Sequence, residues 1–161
     1  MKEIISNINA LLKSEFGSRP MTCTLATTNA VGRATARTMV VRDVSEHGGL
    51  LFVSDRRTHK DDDLRVRPLC EVCFWLPGRN TQIRVQGEAV VVDALHDHGM
   101  REAWWDRMDP QAVQIFSGQP GTPDTVPMPT TFELITITPS WISIDNYADT
   151  PPVNQTWGRR E

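Results

Sequence analysis

Tyrosine occurs once in 161 residues and cysteine three times. Three thiols, an odd number in so short a chain, do not make a disulfide framework and fit a reducing compartment. Long apolar runs are missing as well. The longest, such as Gly49 to Val53 and Ala89 to Val92, fall far below the ~18–20 residues that span a bilayer. The first residues lack the continuous apolar block of a signal peptide; Ile4, Ile5, Ile8, Leu11 and Leu12 recur instead at helical spacing. These absences predict a cytoplasmic protein with no membrane contact. Neither sign of charge dominates, since 17 Lys and Arg face 20 Asp and Glu for a net charge of −3. That balance, with so little tyrosine, argues against a surface built to hold nucleic acid.

What is present is an ordinary globular composition, 39% hydrophobic, in a chain close to the size of one domain. A single domain over residues 1–161 is expected. An amphipathic helix through residues 2 to 15 stops at Gly17-Ser18-Arg19-Pro20. Met21 to Thr28 and Arg33 to Val41 then alternate as a hairpin, and Leu50 to Ser54 reads as a short, largely buried strand. A helix follows, with Thr58 as N-cap, Asp61 completing a capping-box-like pair, and Pro68 marking the end. Leu69 to Leu76 and Thr81 to Val92 form a second hairpin around Pro77-Gly78-Arg79-Asn80.

After residue 93 the period changes. Ala94 to Arg107 has helical spacing, and Asp109-Pro110 starts a shorter helix by an N-cap followed by proline. Ser117 to Pro129 reads as a proline-rich loop, and Thr130 to Thr138 and Trp141 to Ile144 as the last strands. Without the βαβ alternation of a parallel sheet, the order predicts an antiparallel barrel with flanking helices.

Several motifs carry little. Cys70 and Cys73 have zinc-like spacing, but an offset of three within a strand turns them to opposite faces. His96 and His98 on a helix would stand roughly 200° apart, so no metal is expected. Trp75, Trp104, Trp105 and Trp141 read as core or dimer-contact residues, and Arg65 and Arg67 as solvated charges balancing Asp61, Asp62 and Asp63.

Three segments carry more. In Arg37-Thr38-Met39-Val40-Val41-Arg42, alternation places Arg37, Met39 and Val41 on one face, a cationic fork followed by an apolar wall. Phe52-Val53-Ser54 followed by Thr58-His59-Lys60 brings hydroxyls and an ammonium to a helix start, the equipment of an anion site. Along Gln82 to Glu88 a polar face (82, 84, 86, 88) opposes an apolar one, and the Gln82 amide both donates and accepts. A competing reading pairs Arg37 with a carboxylate such as Glu88 and leaves Lys60 solvated.

In order and spacing these segments resemble the flavin-binding split-barrel family typified by pyridoxamine 5′-phosphate oxidase. That family shows an Arg-x-Val-aliphatic-aliphatic-Lys strand, a Phe-aromatic-Thr strand end, a Ser-Arg-Lys helix start and an Arg-Gln-Val strand. The resemblance covers residues 20 to 92 and implies a mainly β chain with flanking helices, folded as a six-stranded antiparallel split β-barrel. It further implies a homodimer with FMN at the interface. By resemblance, Arg37 and Lys60 would hold the flavin phosphate, with Ser54, Thr58 and His59 nearby. Met39 and the backbone of Thr38 and Val40 would lie along the ring system, and Gln82 would meet its polar edge. Val53, and Arg42 in place of the family lysine, complete the set.

The departures concern the substrate. The oxidase's Tyr-Phe-x-x-Arg-Pro-x-x-Ser and Arg-Leu-His-Asp-Arg segments have no counterpart in Ala103 to Phe116 or in Trp141 to Tyr147. The resemblance therefore implies an FMN-dependent oxidoreductase with an undefined small-molecule substrate or electron donor, or else a non-catalytic FMN-binding sensor or store. It singles out no catalytic side chain.

Overall fold

The computed structural model describes residues 2–158. The first helix, α1 (Lys2–Phe16), buries Ile4, Ile5, Ile8 and Leu12, the apolar stripe set by its 3.6-residue period. Six strands follow in antiparallel order. β1 (Met21–Thr28) pairs with β2 (Ala34–Val44) and with β4 (Leu69–Leu76); β2 pairs with β3 (Leu50–Asp55), and β4 with β5 (Thr81–Val92). The long strand β6 (Phe132–Asn146) bonds to β5 along one edge and, through residues 132–137, to β3 along the other. That last pairing closes a six-stranded antiparallel barrel. Closure leaves none of the six with a free edge over its paired length.

The barrel interior is filled by Leu25, Phe52, Val72, Phe74, Ile83 and Ile135, each fully buried, with α1 packed on the same cluster. A second cluster lies under α3 (His98–Trp105) and α4 (Pro110–Ser117), where Val53, Trp105, Val113, Phe132 and Leu134 meet. Phe132 takes the edges of Trp105 and Phe116 at centroid distances of 5.2 and 5.3 Å, the geometry aromatic quadrupoles prefer. The proline-rich loop is tied down here. Buried Arg101 donates from Nε to the Phe132 carbonyl at 2.7 Å, and Trp105 Nε1 donates to that of Val126 at 3.2 Å. As the sequence predicts, Asp109 caps α4, accepting from Ala112 N at 2.8 Å, with Pro110 in the first turn.

The structure departs from expectation at the C-terminal side. The two predicted strands, 130–138 and 141–144, are one 15-residue strand, β6. The break suggested by Pro139 is a bulge: Gln86 pairs with Trp141 and Gly87 with Pro139, leaving Ser140 as the extra residue. Gly87 is required there, because a Cβ would lie 2.2 Å from the Thr138 carbonyl oxygen. A further strand, β7 (Val153–Gly158), pairs with residues 141–146 of β6, beyond the part that closes the barrel. The predicted helix 94–107 is shorter, beginning only at His98, with Asp97 as its cap. Among the described residues no helix is long and apolar enough to cross a membrane.

Candidate functional site

The register Leu25↔Arg37 turns the Arg37 side chain toward the interior side of the sheet, at the end of the barrel beside α2 (His59–Val66). Its guanidinium donates only to neutral acceptors: from Nη1 to the Leu25 carbonyl at 3.0 Å and Thr27 Oγ1 at 2.9 Å, and from Nη2 to Thr35 Oγ1 at 2.8 Å. No carboxylate forms an ion pair with it among the described residues, and Glu88 is not its partner. Burial lowers its pKa from the usual arginine value, opposed by the charges of Asp63 and Asp61. On this face Val41 is buried in the barrel core, and Met39 is partly buried and packed against it.

The second part of the site lies where β3 runs into α2. Ser54 is 2% exposed and Asp61 is completely buried. Ser54 Oγ lies 2.7 Å from both carboxylate oxygens of Asp61, and Thr58 Oγ1 lies 2.6 Å from one of them. The Lys60 ammonium donates to Thr58 Oγ1 and stands 3.4 Å from Asp61 Oδ2, with its side chain only 10% exposed. The expected capping box is therefore not formed. Thr58 sits at the cap position, but its side chain bonds no helix N–H; it serves Asp61 and the Asp55 carbonyl. The competing expectation of a solvated Lys60 also fails.

The structure thus gathers Ser54, Thr58 and Lys60 around one helix start, with exposed His59 at its rim, and brings Arg37 within electrostatic reach of Asp61 and Asp63 on the same helix. The other predicted residues lie elsewhere in the single chain. Thr38, Val40 and Arg42 occupy the outer face of β2, paired with or beside the outward residues Thr22 and Thr24 of β1. Arg42 Nε is buried and has no hydrogen-bond partner among the described residues. Gln82 stands on the outer face of β5, three strands from β2, between Trp75 and Asp145 in the register. Val53 points away from the anion site into the cluster beneath α3 and α4.

The same outer face carries a polar network. Arg84 grips Glu71 through Nε at 2.6 Å and Nη2 at 2.9 Å, Gln86 Nε2 donates to the same carboxylate at 2.7 Å, and the guanidinium lies 5.5 Å from the Trp141 ring centroid. Bidentate carboxylate binding with an aromatic face behind it suits arginine and not lysine.

Sequence reasoning missed two acidic residues. Asp61 lies three positions before buried Leu64 on α2, so helical spacing alone places it inward. Glu133, 1% exposed, is opposite Ser54 in the β3–β6 register. It accepts from Arg65 Nη2 at 2.6 Å, and its other oxygen, 4.0 Å from Arg56 Nε, has no hydrogen bond. Burial raises its pKa from the ordinary glutamate value, Arg65 pulling the other way. Arg65 is accordingly half of a buried ion pair and also reaches Asp93 at 3.7 Å, contrary to the expected solvated charge.

Comparison with known proteins supplies the family. A pyridoxine/pyridoxamine 5′-phosphate oxidase of Deinococcus deserti is 34% identical over 80 residues, 50% of this chain and 36% of its own length. One of Azotobacter vinelandii is 29% identical over 85 residues, 53% of this chain and 39% of its own. The matches thus span little more than a third of those relatives. Among solved structures, a pyridoxamine 5′-phosphate oxidase-related, FMN-binding protein of Nostoc punctiforme superposes with a TM-score of 0.81 at 23% identity, covering 99% of this chain and 91% of that one. PhzG of Burkholderia lata, solved with tetrahydrophenazine-1-carboxylic acid, gives 0.80 at 16% identity, covering 99% and 88%. These two share the fold. Residues 2–93, more than half of the chain, match the pyridoxamine 5′-phosphate oxidase FMN-binding domain, and the chain belongs to that family.

Proposed function

We propose that this chain is an FMN-dependent oxidoreductase that works as a homodimer on a small-molecule substrate other than pyridoxine phosphate. The observation that carries the reading is the set of cationic groups without carboxylate partners among the described residues: the Arg37 guanidinium on neutral acceptors and the buried Arg42 Nε with no hydrogen bond. Both fit a ligand that brings negative charge or acceptor atoms. Arg37 and Lys60 would hold the phosphate, the first as a two-pronged donor and the second as a point charge. The backbone of Thr38 and Val40, with Arg42, would lie along the ring system, and the Gln82 amide would meet a donor–acceptor edge. Gln82 stands three strands from β2, which suits a flavin completed by a second chain, and twofold dimers are the commonest closed assemblies. Bound FMN supplies hydride and electron transfer, so the protein's part is orientation and exclusion of water.

The described part of β6 and β7 has no arginine to pair a substrate phosphate. Loss of two charge-assisted contacts, each worth ~1.5–3 kcal/mol, weakens a phosphorylated substrate by orders of magnitude. The test is an anaerobic reduction screen on FMN-loaded protein with NADH, NADPH and pyridoxamine phosphate, with its mass checked by light scattering. Bleaching of the flavin by a nicotinamide nucleotide, little by pyridoxamine phosphate, and twice the chain mass of 18.1 kDa are expected. If no donor reduces the bound flavin, the non-catalytic FMN-binding reading replaces this one.

A further inference from the structure

We propose that Asp61 sets how strongly this chain distinguishes a phosphorylated flavin from an unphosphorylated one, by occupying with its own carboxylate the donors that a phosphate needs. The proposal rests on the anion site described under the proposed function and adds to it a residue that opposes the ligand.

A carboxylate and a phosphate ask for the same partners: hydroxyl protons, an ammonium and a guanidinium. At the start of α2 the hydroxyls and the ammonium are already engaged. Ser54 Oγ is 2.7 Å from both oxygens of Asp61, and Thr58 Oγ1 is 2.6 Å from Oδ2. The single Thr58 hydroxyl proton is contested further, because the Asp55 carbonyl also lies 2.6 Å away. The Lys60 ammonium bridges Thr58 and Asp61. To receive a phosphate, the site must withdraw these donors from a carboxylate that is completely buried and has no water to replace them.

Charge points the same way. Arg37 and Lys60 contribute two positive charges, and Asp61 and Asp63, both close enough to act on Arg37, contribute two negative ones. Around them, Arg65 of α2 is paired with Glu133 of β6, Asp55, which also acts on Lys60, is paired with Arg57, and exposed Arg56 stands 4.0 Å from Glu133. A dianion entering this corner therefore meets two carboxylates, Asp61 and Asp63, beside the two cationic groups that would hold it.

The experiment is a fluorescence titration of the full chain with FMN and with riboflavin, for the wild type, Asp61→Asn and Asp61→Ala. The wild type is expected to prefer FMN by no more than about tenfold, and Asp61→Asn to tighten FMN by about tenfold or more while riboflavin moves less than about twofold. Asp61→Ala is expected to act in the same direction. A wild-type preference above that tenfold limit overturns the proposal, and this measurement stands even if neither variant folds. So does a variant in which the ratio of the two affinities is unchanged or falls. Failure of both flavins to bind the wild type is a different result: it sinks the flavin-site reading itself, and the proposal with it.

Discussion

Lys60→Ala is expected to weaken FMN ten- to hundredfold and to leave riboflavin unchanged. The ammonium is the one full positive charge that α2 contributes inside its first turn, and its side chain is 90% hidden, so bulk water and salt screen it poorly. A charge-assisted contact of this kind is worth ~1.5–3 kcal/mol, which is the stated range in affinity. Removing it also leaves Asp61 without its ammonium partner where the phosphate would sit, so the variant should bind riboflavin more tightly than FMN. Parallel fluorescence titrations with the two flavins check this. Equal losses for both would show that Lys60 supports the fold and that the phosphate is held elsewhere. Arg37→Ala is a less clean probe, since the guanidinium also ties Leu25, Thr27 and Thr35 together across β1 and β2.

Arg65→Ala is expected to destabilise the protein by about 3 kcal/mol near neutral pH, the low end of the ~3–5 kcal/mol seen when one partner of a buried pair is removed. The low end applies because Arg65 is 30% exposed and Glu133, 1% exposed, would keep only the distant, exposed Arg56 at 4.0 Å as a partner. The cost should depend on pH. Burial raises the Glu133 pKa from its ordinary value, so the folded chain holds this proton more readily than the unfolded one. Its contribution to stability is therefore fullest below the ordinary carboxylate range and is lost as pH rises toward the raised value. Without Arg65 that value climbs further, and the penalty should shrink on acidification. Urea denaturation of wild type and variant at several pH values measures it, and Glu133→Gln in the Arg65→Ala background should recover most of the loss at neutral pH. A penalty independent of pH would mean that Arg65 acts through packing alone.

Much of the barrel was legible because strand alternation and helical spacing are local. β1, β4 and β5 have the residue limits that their patterns predict, and α1 buries the apolar stripe read from Ile4 to Leu12. The C-terminal strands were less so. Pro139 reads as a break in sequence, yet a proline at a bulge sacrifices no ladder bond, and whether a bulge forms depends on the partner, here Gly87. β7, with mostly exposed residues and no clear alternation of burial, exists because β6 offers it an edge.

The candidate site divides along the same line. Sequence by itself determined the inventory: a guanidinium on β2, a hydroxyl at the end of β3, and a hydroxyl and an ammonium at the start of α2, because each belongs to one element whose period or cap is written locally. Tertiary structure decided what those groups face. Closure of the barrel turned Val41 into core and packed Met39 against it, and the β3–β6 pairing set Glu133 opposite Ser54. The docking of α2 carried Asp61 to the centre of the donors with no exposed surface. Burial and pairing of a charge depend on which distant segments come together, and nothing in a local pattern of residues records that.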